Sequence, residues 1–296
     1  MTTTENILPE EFEQYLSCYK AQVRSKYTVQ GMRRVLSSFN TYLQKFNIHL
    51  CKISIEQIDH FLAHYNKNYA TGTSRTYRSH LRKFLAYLYQ EGDIKKDLAP
   101  LVVSPPEFAR SKPPKFLRPK EVQQLFNSLV LSDVKDLRTY AVMHLVYYLG
   151  LRPKEISLIT LNDISFRQKE IFIQSRKNHS PAHLPLPNNT IRAITAYIVG
   201  GRPESKSRVL FLQLIPPYKP ATKTDISRDT RELMHDNNLA ASIYWLRHSY
   251  AQNLLESGAS IFEIKEMMGH KSIESTKKYL SVHINLMREV ILDETL

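Results

Sequence analysis

The sequence predicts a mostly helical α+β protein in two parts, a helical N-terminal domain and a larger domain that carries a small β-sheet or hairpin. Three observations lead there. Residues 15–90 contain no proline and only two glycines, Gly31 and Gly72, so little interrupts a run of amphipathic helices. Six prolines then fall between Pro100 and Pro119, a composition suited to an extended linker. Beyond them, helical and strand-like periodicities mix. A chain of 296 residues has room for two cores. The boundary falls near Arg110 to Pro114, which gives a first domain over 1–108, a linker over 109–117 and a second domain over 118–296.

Within the first domain, TSRTYRSHLRKFLAYLYQEG (73–92) is the clearest helix, with Thr73 or Ser74 to cap its start and Gly92 its end. Tyr77, Leu81, Phe84 and Leu88 share one face, and Arg75, Arg78 and Arg82 the opposite one. A basic face is ordinarily just solvated. Here residues 15–90 hold twelve Lys and Arg against two acids, Glu56 and Asp59, so a surface that tracks phosphates is the better reading.

After the linker, LRPKEVQQLFNSL restarts a helix, with Pro119 in its first turn. LRTYAVMHLVYYLG is nearly all apolar, a buried helix that stops at Gly150. Lys169–Gln174 and Ala182–Pro187 are strands joined by the turn-prone RKNHSP. NNTIRAITAYIVGG follows as a helix with polar N-cap candidates and a glycine stop. YWLRHSYAQNLLESG and SIFEIKEMMG are two more, each followed by glycine. The final stretch carries Ile284, Met287, Val290 and Ile291 at helical spacing, an apolar stripe with no use inside a complete domain.

Lys and Arg outnumber Asp and Glu by 41 to 28, a formal charge of +13, which favours a polyanionic partner, nucleic acid or an anionic membrane. No apolar run approaches the ~20 residues of a membrane span. The N-terminus carries acids before any base and no apolar segment, unlike a secretory signal. A cytoplasmic protein with nucleic acid as partner is expected, and no membrane. Cys18 and Cys51 are too few for a disulfide framework and too far apart for a local metal motif, so both are expected as reduced packing residues.

Four stretches place polar groups at element boundaries. In GLRPKE, Arg152 lies between one helix end and the next helix start, and Glu155, three residues on, can orient it; alone this is a capping ion pair. Lys177 lies at the hairpin tip, where a lysine is ordinarily solvated. Arg247 and His248 open a helix whose Leu246, Tyr250 and Leu254 face a core. A helix N-terminus favours anions, while His248 itself is best read as a packed core histidine. Lastly, in MMGHKSIESTKKYL, Gly269-His270 precedes Tyr279 by nine residues from the histidine, with Lys277 and Lys278 beside the tyrosine.

In this order and spacing the stretches resemble the tyrosine recombinase/integrase family, which includes the Xer recombinases and phage and transposon integrases. Arg152 matches the family's first arginine in its Gly-Leu-Arg-x-x-Glu setting. Lys177 matches the hairpin lysine, eight residues before Pro185, and Arg247 the second arginine in Leu-Arg-His-Ser. Gly269-His270 and Tyr279 match the last two motifs, and the 73–88 helix looks like the family's SAM-like, DNA-clamping N-terminal domain. One position departs: Tyr244 stands three residues before Arg247, where the family usually has histidine. A phenol can donate to a phosphate oxygen but is no imidazolium at neutral pH.

The resemblance implies strand exchange through a 3′-phosphotyrosyl intermediate and a Holliday junction, with neither cofactor nor metal. It makes Tyr279 the nucleophile, Arg152 and Arg247 the phosphate clamps, Lys177 the donor to the leaving oxygen, and Glu155 the group orienting Arg152. His270 would bind the phosphate or take the tyrosine's proton, Tyr244 would assist at the phosphate, and Arg75, Arg78, Arg82 and Lys277 would meet the DNA backbone. The implied partner is double-stranded DNA with paired recombination sites, clamped in a C shape, with two protomers per site and a homotetramer on two sites. The apolar tail stripe would dock on a neighbouring protomer or cap its own domain, and there is room for an accessory protein. The implied location is the cytoplasm, at the nucleoid when DNA is bound. Two alternatives remain: a non-cleaving DNA-binding accessory protein on the same scaffold, favoured by Tyr244, and a type IB topoisomerase-like relaxing enzyme.

Overall fold

A computed structural model describes residues 8–22, 26–67, 69–104, 114–174, 176 and 181–279. Lys177 at the expected hairpin tip, most of the expected linker and the apolar tail stripe lie outside the described residues. The chain divides into two compact units, Met1–Ala109 and Arg110–Leu296.

The first unit is helical: α1 (Glu10–Gln22), α2 (Lys26–Lys45), α3 (Ile55–Asn66) and α4 (Thr71–Glu91), with a short 3₁₀ turn at Leu50–Lys52. A capping box starts α3, where Ser54 Oγ accepts from the Gln57 backbone and Gln57 Oε1 from the Ser54 backbone. The apolar face predicted for α4 is buried, and Leu81, Phe84 and Leu88 join Phe12, Met32, Leu36, Phe39, Ile58 and Leu62 in one core. The Phe12 and Phe84 rings meet at 4.6 Å.

Three expectations for this unit are corrected. The N-cap of α4 is Ala70, and Ser74 lies buried inside the helix, because packing against α2 and α3 rather than a local hydroxyl sets where it begins. The α4 arginine face does more than meet solvent: Arg78 Nη1 donates to the Val103 carbonyl at 2.9 Å, and Arg82 donates twice to that of Val102. The chain folds back after α4 and lays its own acceptors on that face. Cys18 and Cys51 are exposed rather than packed.

The second unit is built around α6 (Val134–Leu149), which follows α5 (Pro119–Asn127) and is apolar on nearly every side. A short α7 (Pro153–Ile156) leads to an antiparallel sheet, β1 (Ile164–Ser165), β2 (Glu170–Ile173) and β3 (Ala182–Pro185), in that spatial order. Ile171 opposes both Ile164 and Leu184, which fixes the register with Ile171 and Ile173 facing the core. Helices α8 (Asn188–Gly200), α9 (Lys223–Asp236) and α10 (Ile243–Glu256) pack on α6. Arg138 of α6 and Asp229 of α9 form an ion pair buried between them. Finally α11 (Ile261–Met268) packs on α10, and α12 (Glu274–Lys277) on α11, around a small satellite core of Ala251 and Leu255 from α10, Ile264 and Met268 from α11, and Tyr279 just after α12.

Here too the structure departs from expectation. The strand β1 and the helix α9 were not foreseen: β1 is two residues long, and α9 is mostly polar, held by a Thr222–Asp225 capping box and a narrow buried edge of Ile226, Thr230 and Met234. Pro187, not an asparagine, is the N-cap of α8. Helix α10 starts at Ile243, so Arg247 and His248 lie in its second turn instead of opening it, and the free N–H groups of that end are not theirs. Among the described residues no helix is long and apolar enough to cross a membrane.

Candidate active site

The site forms where three chain breaks meet. Helix α6 ends at Gly150 with φ +61°, a left-handed residue that turns the chain at once into Arg152 and the proline-led α7. The Glu155 carboxylate then reaches back. It accepts from the Arg152 backbone at 2.8 Å and from Arg152 Nη1 at 2.6 Å. Arg247 comes from α10, with Nη1 4.0 Å from the other oxygen of the same carboxylate. Glu155 is only 4% exposed, so one buried acid orients Arg152 directly and lies within ion-pair distance of Arg247.

The third break is the C-terminus of α11. The last four carbonyls of a helix lack intrahelical donors, and the helix dipole makes that end attractive to cations. Gly269, at φ +59°, closes the turn by letting the His270 N–H donate to Lys265 O at 3.0 Å. The next four carbonyls each accept from an arginine, Glu266 O in addition to the Gly269 N–H at 2.9 Å. Arg176 donates to Glu266 O at 2.9 Å and to Met267 O at 2.7 Å. Arg247 Nη2 donates to Met268 O at 2.5 Å, and Arg152 Nη2 to Gly269 O at 3.0 Å. Arg247 Nη1 also donates to Gly150 O.

Tyr279 lies beside this cluster, 1% exposed. Its hydroxyl shares a 2.7 Å hydrogen bond with His248 Nδ1. His270 holds its ring parallel to the phenol at 6.5 Å and is anchored by a 2.6 Å hydrogen bond between Nδ1 and Thr276 Oγ1. The Lys278 ammonium sits over the Tyr279 ring, 5.1 Å from its centroid. Burial pushes the Tyr279 hydroxyl up to about 12 against the opposing pull of Arg247 and Arg152. Burial, then the cationic neighbours, draw His248 down to about 4 and His270 down to about 3. Burial and Arg152 pull Arg247 down to about 10, which still leaves it charged at neutral pH. At rest the site thus holds two neutral imidazoles, a protonated phenol and a dense positive charge. In the Nε2–H tautomer, His248 presents a bare Nδ1 lone pair to the phenol proton.

Of the sequence-predicted residues, Arg152, Glu155, Arg247, His270 and Tyr279 come together, while Lys177 lies outside the described residues. Tyr244 is half-exposed, one helical turn before Arg247. Lys277 pairs with Glu274 at 2.5 Å, and Arg75, Arg78 and Arg82 belong to the other unit. Three residues were missed. His248 is packed and hydrogen-bonded as expected, but its partner, the tyrosine, was not foreseen; its place next to Arg247 was the available signal. Lys278 packs on the phenol rather than meeting solvent. Arg176 gave no signal at all, since its acceptors lie about ninety residues away.

The phage integrase family model matches residues 115–285, and the phage integrase N-terminal SAM-like domain model matches residues 10–92. The Sinorhizobium fredii protein named "Putative integrase/recombinase y4rF" is 31% identical over 75% of this chain; the chain spans 53% of that relative's length. Tyrosine recombinase XerD of Staphylococcus saprophyticus is 27% identical over 95% of this chain and 96% of its own. Among solved structures, a lambda integrase fragment (75–356), a dimer bound to a COC′ core site, aligns with a TM-score of 0.73 at 16% identity, covering 92% of this chain and 94% of that one.

Proposed function

Because the chain belongs to the phage integrase family of tyrosine recombinases, which are DNA strand-transferases, we propose that it is a site-specific recombinase that cuts and rejoins DNA through a 3′-phosphotyrosyl intermediate. The observation that carries this reading is the meeting of two guanidinium groups, two neutral imidazoles and a buried tyrosine at the end of α11.

The chemistry follows from that arrangement. A phosphodiester repels a nucleophile and gains negative charge as the phosphorus becomes pentavalent. Arg152 and Arg247 each use two of their five donors on protein acceptors, and the remaining donors suit the two non-bridging oxygens. Held in place by Glu155 and the α11 carbonyls, they need little rearrangement as charge develops. The Tyr279 oxygen attacks phosphorus, the P–O5′ bond breaks, and the phenol proton passes to a base. The resemblance implied that His270 binds the phosphate or takes this proton; His248 is the imidazole in hydrogen-bond contact with the phenol and is the better base, which leaves His270 to the phosphate. The departing 5′ oxygen takes a proton from Lys177. The bond energy stays in the phosphotyrosine, so the 5′-hydroxyl of a second strand can reverse the step. With its phenol 1% exposed, Tyr279 moves outward to meet the phosphate. The substrate is double-stranded DNA with paired sites, two protomers on each and four in the synapse, formed in the cytoplasm.

Denaturing capture tests the reading without knowledge of the site. The protein is mixed with nicked, sheared DNA from its source, quenched with SDS, and any covalently attached DNA is sequenced. Attachment is expected with the native chain and none with Tyr279→Phe, which retains DNA binding. Tight binding with no attachment by the native chain would overturn the recombinase reading in favour of a non-cleaving DNA-binding protein.

A further inference from the structure

Arg176 is 5% exposed, adjoins the candidate acid in sequence, and does not belong to the motifs that identify the family. Its guanidinium nevertheless fills a specific place. The α11 C-terminus offers four successive acceptors, the carbonyls of residues 266 to 269, and three arginines divide them without overlap: two for Arg176, one for Arg247, one for Arg152. Gly269 fits this arrangement twice over. Its φ of +59° suits glycine, and a Cβ there would stand 2.9 Å from Arg176 Nε and 3.0 Å from its Cδ. Backbone turn and guanidinium are therefore built against each other. Burial, opposed by Glu155 and reinforced by Arg152, draws the Arg176 guanidinium down from its ordinary range, which places it in the same electrostatic cluster as the other two.

We propose that Arg176 is a positioning residue for strand cleavage: by taking Glu266 O and Met267 O it fixes the Gly269–His270 turn and keeps the free donors of Arg152 and Arg247 available for the scissile phosphate. This rests on the recombinase reading above. Without Arg176, Glu266 O keeps the Gly269 N–H at 2.9 Å while Met267 O loses its donor, and the arginines on the next two carbonyls, Arg247 and Arg152, have donors to spare. They then shift toward Met267 O and away from the phosphate. A lysine cannot replace it fully, because one ammonium lacks the planar fork that reaches two carbonyls at once.

The test uses full-length protein and a DNA site recovered by covalent capture, in single-turnover cleavage. Arg176→Ala is expected to bind the site within about twofold of native affinity while cleaving roughly 10- to 100-fold more slowly, with Arg176→Lys in between. On a substrate whose scissile phosphate is a methylphosphonate, neutral at the non-bridging position, the Arg176→Ala deficit should shrink at least severalfold, since less charge needs clamping. A purely structural role would give the same deficit on both substrates. Gly269→Ala supplies an independent arm: its fold-loss in cleavage should be smaller in the Arg176→Ala background than in the native one, because the clash is gone and only the backbone strain remains. Native-rate cleavage by Arg176→Ala, equal deficits on the two substrates, or multiplicative losses in the double variant would each overturn the proposal. Failure of the native chain to cleave either substrate would instead overturn the recombinase reading.

Discussion

His248 and Tyr279 lie 2.7 Å apart and are held at opposite ends of the titration range, the imidazole near 4 and the phenol near 12. Their hydrogen bond is therefore between two neutral groups over the whole physiological range, and His248 is a proton acceptor that does not itself titrate near pH 7. Two outcomes follow at this scale. In the free protein, ring NMR should find His248 and His270 neutral down to about pH 5, where an unperturbed histidine of pKa ≈ 6.5 would be mostly charged; titration of either near 6.5 would contradict the burial argument. His248→Phe keeps the ring and removes the lone pair, so cleavage should fall by roughly a hundredfold, the scale of a lost general base, with DNA affinity nearly unchanged. Wild-type cleavage by that variant would return the role to His270. The sequence showed this histidine but not its partner, because the two are 31 residues apart and only the packing of α11 against α10 brings them together.

At the scale of elements, helix ends do the positioning, and they were legible to the extent that their signals are local. Gly150, Gly269 and Pro153 mark stops and starts through backbone chemistry that needs no tertiary information, and all three stand where the sequence placed them. The N-cap of α4 and the existence of α9 were missed because packing against other helices decides them. The basic face of α4 was recognised, but not that the chain returns to hang Val102 and Val103 on it. Gly150 carries the clearest prediction. It sits at φ +61°, and a Cβ there would lie 2.3 Å from the Tyr250 ring. Left-handed backbone costs an alanine about 1–2 kcal/mol, and overpacking adds roughly 1–3 kcal/mol. Gly150→Ala should therefore destabilise by about 2–5 kcal/mol in urea denaturation. Since Gly150 O also accepts from Arg247, whatever protein remains folded should cleave more slowly. A loss under about 1 kcal/mol would mean that Tyr250 can yield at little cost.

At the scale of the whole molecule, two units with separate cores share one chain, and their acid responses should differ. Three histidines of the second unit are drawn far down by burial, His144 and His248 to about 4 and His270 to about 3. In the first unit His80 is also lowered. A histidine near 6.5 when unfolded and near 4 when folded binds protons more readily in the unfolded chain between those values. Stability from these groups is thus intact above about pH 6.5, falls as the pH drops toward 4, and for His270 toward 3, and is level below that. The carboxylates with lowered values, such as Asp225 and Glu263, add their loss mainly below this window. Trp245 is the only tryptophan in the sequence and packs on the second unit's core, so its fluorescence reports on that unit alone, while far-UV circular dichroism sees the helices of both. Between about pH 7.5 and pH 5, the fluorescence midpoint in urea should move to lower denaturant, and further than the part of the dichroism change that the fluorescence does not follow, so that the separation of the two probes changes as the pH falls. A fluorescence midpoint that stays fixed across that interval would mean that the buried imidazoles of the second unit, those of the site included, accept protons without disturbing the fold around them.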